Sequence, residues 1–124
     1  ILLVEDEESV REMMTQMIRR IGYEVAHCAA GSEAIDHLRE NPGKYDLVLS
    51  DHMMPHMTGV EMAAEVRVDF PDLPVVLISG YSPKKLESAM AENPSIKAVL
   101  KKPIASAKLL QTLQSVLRAQ KKAA

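Results

Sequence analysis

Four apolar runs in this chain each end on a side chain able to handle a phosphoryl group. Leu2-Leu3-Val4 runs into Glu5-Asp6, and Leu47-Val48-Leu49-Ser50 runs into Asp51. Pro74-Val75-Val76-Leu77-Ile78 runs into Ser79-Gly80, and Ala98-Val99-Leu100-Lys101 runs into Lys102-Pro103. A short run without polar alternation suits a strand buried on both faces, which is the habit of parallel sheets. Ligands of open parallel sheets bind beyond the carboxyl ends of the strands. The carboxylates of Glu5, Asp6 and Asp51, the hydroxyl of Ser79 and the ammonium of Lys102 are therefore expected on one rim of the molecule.

Between the runs the periodicity turns helical. The pattern predicts strands over 1–5, 23–28, 46–50, 74–79 and 96–101, and helices over 8–20, 32–40, 58–68, 83–92 and 105–120. Val10, Met14, Met17 and Ile21 fall within about 60° of one another on a helical wheel, with Met13 and Ile18 on the flanks. That Met-rich stripe reads as core, and its flanks as an adaptable docking surface. Leu109, Leu110, Leu113, Val116 and Leu117 repeat at the same spacing and also read as core. Gly22, Asn41-Pro42-Gly43, Pro71 and Asn93-Pro94 punctuate the boundaries. Successive strand–helix units imply an α/β fold with right-handed crossovers and helices on both faces of one parallel sheet.

The length of 124 residues suits a single domain spanning 1–124. No apolar stretch approaches the ~20 residues of a membrane span. The lone Cys28 excludes an internal disulfide; as a buried thiol in an apolar strand it fits a reducing, cytoplasmic setting. The net charge of −2 conceals an imbalance, with −9 over residues 1–72 and +7 over 73–124. An acidic catalytic edge and a basic docking face follow. The lysines are scattered and barely interleaved with aromatics, so this chain alone is expected to bind neither nucleic acid nor membrane. Lys121-Lys122 reads as a solvated helix end, where cations suit the dipole. A chain that opens on Ile1 rather than Met is expected to be part of something longer.

Glu5-Asp6 beside Asp51 makes a dense negative cluster, and like charges so close are costly without a cation. Hard oxygen ligands, few and open to solvent, suit Mg²⁺. The competing reading is that adjacent acids merely begin a helix, as Glu7-Glu8 do. Asp51 at a strand end can attack phosphorus and carry an aspartyl phosphate. A fixed lysine and a hydroxyl then satisfy the other phosphoryl oxygens, and positioning does most of the work. A haloacid-dehalogenase-like phosphatase needs a second Asp two residues on, where this chain has Met53. His52, Met53, Met54, His56 and Met57 offer soft ligands for Cu(I), but Pro55 disfavours helical presentation of the two histidines. Neither GxGxxG nor GxxxxGK[ST] occurs.

The ordered set Val4-Glu5-Asp6-Glu7, Asp51 with Met54-Pro55 and Gly59, Ser79-Gly80 and Lys102-Pro103 resembles the CheY-like receiver domains of two-component response regulators. The resemblance covers essentially the whole chain. It implies a flavodoxin-like (βα)5 fold in three layers, its five-stranded parallel sheet in the order 2-1-3-4-5. It implies a phosphoacceptor, rather than a conventional enzyme, that takes a phosphoryl group onto Asp51 from the phosphohistidine of a histidine kinase or histidine phosphotransfer domain. Mg²⁺ would be held by Asp6, Asp51 and the backbone carbonyl of Met53, with Glu5 helping through water. Ser79 and Lys102 would contact the phosphoryl oxygens. The family's lysine directly precedes the proline, which selects Lys102 over Lys101; it also leads to the expectation of a cis Lys102–Pro103 bond. Two departures stand out. Val99 occupies the place where the family often has an aromatic switch, and Glu5 replaces the commoner Asp. Met53 and Tyr81 near the rim are expected to tune water access. Leu77-Ile78-Ser79-Gly80-Tyr81-Ser82 and the Asp51-to-Pro55 segment look most like receivers of hybrid sensor histidine kinases. A stand-alone regulator, a transcription-factor receiver and a receiver that no longer takes phosphate are the alternatives.

Overall fold

A computed structural model of the chain describes residues 1–80 and 86–123, with side chains through Gln120. The elements alternate as β1 (Leu2–Val4), α1 (Glu8–Ile21), β2 (Ala26–Cys28), α2 (Gly31–Glu40), β3 (Val48–Asp51), α3 (Gly59–Asp69), β4 (Val75–Ser79), α4 (Glu87–Glu92), β5 (Ile96–Lys101) and α5 (Ser106–Ala123). The strands form one five-stranded sheet in the order β2-β1-β3-β4-β5, and every neighbouring pair is parallel. This is the doubly wound, flavodoxin-like arrangement expected from the sequence.

The apolar runs are apolar throughout because both sides of the central strands are covered. Leu2 and Val4 of β1, Val48 of β3 and Val75 and Leu77 of β4 point to one face, among Ala34, Ile35 and Leu38 of α2 and Met62, Ala63 and Val66 of α3. Leu3, Leu49, Val76 and Ile78 point to the other, among Met14 and Ile18 of α1 and Leu109 and Leu113 of α5. Alternate residues thus feed two cores, as the two-residue period of a strand requires. Removing one such Leu or Val side chain from water stabilises the fold by about 1.5–3 kcal/mol.

Several boundaries differ from the sequence reading. β2 is three residues long (Ala26–Cys28), not 23–28, because its sheet partner β1 offers only the three positions Leu2–Val4. Tyr23 and Val25 instead pack, half-buried, against the α1–α5 core. β3 runs on to include Asp51, while β1 stops at Val4. α1 ends at Ile21, where Gly22 takes φ 108 and its N–H and that of Tyr23 satisfy the carbonyls of Arg19 and Ile18. α5 continues to Ala123, past the expected stop at 120. Residues 83–85, the expected start of α4, lie outside the described residues, as does Tyr81. On α1, Ile18 is fully buried rather than flanking, and Met13 is the exposed flank. Among the described residues no helix is long and apolar enough to cross a membrane.

Candidate functional site at the carboxyl rim of the sheet

β3 delivers Asp51 to the rim. The ladder with β4 sets Asp51 opposite Ile78, whose carbonyl accepts the next N–H, that of His52, at 2.8 Å. The chain then loops through residues 52–58 and enters α3 at Thr58. Thr58 closes a capping box: its hydroxyl accepts from the Glu61 N–H at 3.2 Å, and its own N–H donates to the Glu61 carboxylate at 3.0 Å. Those hydrogen bonds hold the exposed Glu61 carboxyl below the usual range. The loop returns so closely that Gly59 donates to the His52 carbonyl at 2.8 Å. A Cβ on Gly59 would meet the Asp51 carbonyl oxygen at 2.8 Å and His52 Cα at 3.0 Å, so only glycine fits.

β1 delivers Glu5 to the same rim. The Glu5 N–H donates to the Cys28 carbonyl at 3.1 Å, and its carbonyl accepts from Arg11 Nη1 at 3.0 Å. Glu5 and Asp51 are only 3% and 4% exposed, while Asp6 next to them is open to solvent. Carboxylate oxygens of Glu5, Asp6 and Asp51 lie within 4.8 Å of one another. Burial, then the hydrogen bond with Asp51 and its charge, push the Glu5 carboxyl up to about 8. The donor set is all hard oxygen, partly solvent-facing and anionic, and it fits a small divalent cation such as Mg²⁺.

The opposing charge comes from beyond β5. Lys102 Nζ lies 3.1 Å from Asp51 Oδ2. The Lys102 N–H donates to the Ser79 carbonyl at 2.9 Å, and the Lys102–Pro103 peptide is cis, as expected. Lys101, opposite Ser79 in the β4–β5 ladder, is exposed and makes no such approach, so the two lysines do face apart. Burial opposes the Lys102 charge, but the hydrogen bond and charge of Asp51, with Glu5 and Glu7, outweigh it and raise its pKa. Ser79 is fully buried at the end of β4, next to Ile78, which pairs with Asp51. The residues singled out from the sequence are thereby brought to one rim. Met53 follows in the 52–58 loop and is 52% exposed.

The soft-ligand set is not gathered into a site. Met54 is buried in the core under α2 and α3, Met57 packs against the same core, and His56 is exposed at φ 67. His52 is half-buried, and its Nδ1 has no hydrogen-bond partner among the described residues. Val99 is half-buried against the core that also holds Leu77 and Leu86.

Three features of the site were not read from the sequence. The Thr58-x-x-Glu61 pattern is a recognisable cap signal. The close approach at Gly59 and the reach of Arg11 back to Glu5 have no periodic signature.

The family model for the response regulator receiver domain matches residues 1–114. The chain belongs to that family. It is a receiver domain of two-component signalling, a class that acts with histidine kinases or phosphotransfer proteins. It is 36% identical to the sensor kinase CckA of Brucella abortus (strain 2308) over 97% of this chain but 13% of that protein. It is 33% identical to the response regulator receiver protein CpdR of the same strain, over 94% of this chain and 95% of that one. The chain thus spans about an eighth of the kinase and nearly all of the regulator. Among solved structures, the response regulator TrrA of Thermotoga maritima, in complex with Mg²⁺-BeF, superposes with a TM-score of 0.81 at 27% identity, covering 93% of this chain and 96% of that one. A receiver domain protein from Clostridium thermocellum reaches a TM-score of 0.92 at 22% identity over 99% and 97% of the two chains, a likeness of fold.

Proposed function

We propose that residues 1–124 form one receiver domain in which Asp51 takes a phosphoryl group from the phosphohistidine of a histidine kinase or histidine phosphotransfer domain. The observation that carries this reading is the 3.1 Å contact of Lys102 with an Asp51 carboxylate that shares a 4.8 Å cluster with Glu5 and Asp6. In the transfer, an Oδ of Asp51 forms the new bond to phosphorus as the P–N bond breaks. The electron pair stays on the imidazole nitrogen. Lys102 and Ser79 contact the phosphoryl oxygens, balancing charge that Asp51 alone would repel. Asp6, Asp51 and the Met53 carbonyl would hold Mg²⁺, with Glu5 acting through water. Bound there, the ion neutralises charge on the transferring group. The TrrA complex with Mg²⁺-BeF supports the cation and the acceptor chemistry together.

Incubation of the chain with a small phosphodonor and Mg²⁺, read by intact mass, tests this. The expected result is a labile gain of one phosphoryl group that disappears with chelator; no gain at any donor concentration sinks the reading and favours a receiver that only binds proteins.

The parent we favour is a sensor kinase of hybrid type working at the cytoplasmic side, supported by the match to CckA. Val99 fits this: a branched aliphatic carries no hydrogen-bonding switch, so the domain suits a relay of phosphoryl groups between histidines. Nucleic acid and membrane are left to other parts of that protein. A stand-alone regulator like CpdR is the rival. A kinase transmitter region encoded ahead of Ile1 supports the first, and an initiator Met immediately ahead supports the second.

A further inference from the structure

The geometry points to Arg11 as a positioning residue that fixes the acidic loop, so that Glu5 and Asp6 converge on Asp51 in readiness for a divalent cation. This rests on the metal reading above. Glu5 is the first residue after β1, and only Asp6 and Glu7 separate it from α1. A loop so short has few bonds of its own. The Glu5 residue is held at both polar ends of its backbone: the N–H by the Cys28 carbonyl at 3.1 Å, and the C=O by Arg11 Nη1 at 3.0 Å. That C=O belongs to the peptide plane leading into Asp6. The guanidinium therefore sets the direction from which the exposed Asp6 carboxylate starts.

Arg11 is itself anchored. It lies in the first turns of α1, its N–H donates to the Glu7 carbonyl at 2.9 Å, and its carbonyl accepts from the buried Thr15 hydroxyl at 2.7 Å. The contact to Glu5 is partly buried and charge-assisted, the class of hydrogen bond stronger than a neutral one. Glu5, held only 3% exposed, is thus tied to α1 as well as to β2.

The sign of the effect separates positioning from simple charge. A cation beside an acidic cluster repels a second cation. By charge alone, removing Arg11 tightens Mg²⁺ binding; by positioning, it weakens it.

Mg²⁺ titration of the full 124-residue chain by calorimetry tests the assignment. Arg11→Gln and Arg11→Met both remove the guanidinium, and whichever folds serves. The expected result is binding weaker by about ten- to a hundredfold, the order of one lost hydrogen bond to a charged group. Arg11→Lys, which keeps a charged donor, returns binding to within about twofold of wild type. Arg39→Met, which removes the cation paired with Asp69 at 2.9 Å, leaves it unchanged. Amide hydrogen exchange supplies a readout without metal: exchange at residues 5–7 quickens in the Arg11 variants while β3 and β4 keep their protection. Mg²⁺ binding as tight as wild type or tighter, or unchanged exchange at residues 5–7, overturns the assignment. A wild-type chain that binds no Mg²⁺ removes the metal reading instead, and the exchange result then decides the role of Arg11 by itself.

Discussion

The acidic side of the rim, at the ends of β1 and β3, is held by main-chain bonds, whereas its basic side reaches in from a half-exposed lysine beyond β5. Glu5 and Asp51 are both under 5% exposed, and each is gripped by its backbone on a central strand or next to one. The Lys102 side chain is 38% exposed and is fixed mainly by its ion pair with Asp51. The difference follows from what each side has to do. Carboxylates that repel one another spread apart unless the backbone forbids it. A lysine attracted to them needs only reach, and a flexible stem provides that. Pre-set anions and a cation on a flexible stem make a site whose charge can be rebalanced when a phosphoryl group arrives.

The largest test of this contrast is Asp6→Ala. It removes one pre-set ligand, so Mg²⁺ affinity should fall by at least about tenfold in a calorimetric titration, while the metal-free fold survives because like-charge repulsion is relieved. Undiminished affinity breaks the acidic side of the comparison.

Gly59→Ala strikes the backbone support of the same side. The new Cβ would press on the Asp51 carbonyl and His52 Cα, neither of which can give way cheaply. Denaturant unfolding should show a loss of about 1–3 kcal/mol, the usual cost of overpacking. A neutral result means the 52–58 loop is softer than its hydrogen bonds indicate.

Lys102→Ala addresses the basic side. Water screens a side chain so exposed, so the loss of stability should stay at or below about 1 kcal/mol. Mg²⁺ binding should tighten modestly, since a competing cation has gone. Weaker Mg²⁺ binding would show that Lys102 also shapes the acids. Any phosphorylation-driven change should weaken in this variant, because the lysine–phosphoryl attraction is among the few interactions that differ between the two states.

Cys28 gives the smallest and most local test. It lies at the end of β2, and its carbonyl accepts from the Glu5 N–H at 3.1 Å. Burial, then the charge of Glu33, push its thiol up to about 12. A raised folded-state value means the folded chain keeps a proton that the unfolded chain releases. Its contribution is fully present below about pH 9 and is lost as pH rises toward 12. Cys28→Ala should flatten that alkaline decline, and the wild-type thiol should react slowly with alkylating reagents until the chain unfolds. Rapid alkylation of the native chain would show that the β2 edge opens readily.

Much of this arrangement was legible in the sequence, for identifiable reasons. The strand ends could be read because β1, β3 and β4 are covered on both faces and so carry no charged residue until the rim. Asp51 and Lys102 stood out because each interrupts or ends such a run. The edges were harder. β2 is half-exposed and borrows its length from a three-residue neighbour, so Tyr23 and Val25 look like strand while packing otherwise. Ile18 falls on the flank of the helical wheel because a wheel ranks residues by angle alone. The packing of α1 against both the sheet and α5 widens its buried stripe. Arg11 carries no such signal: a side chain that donates to a main-chain carbonyl six residues back leaves no mark on composition or period.

The most direct test of the central claim is the site of modification itself. Asp51→Asn keeps the size of the side chain but removes the nucleophilic carboxylate. Treated with a small phosphodonor and Mg²⁺ beside wild type, it should show none of the labile, hydroxylamine-sensitive mass gain of one phosphoryl group. A full signal retained by Asp51→Asn would contradict the assignment and move the acceptor elsewhere in the chain.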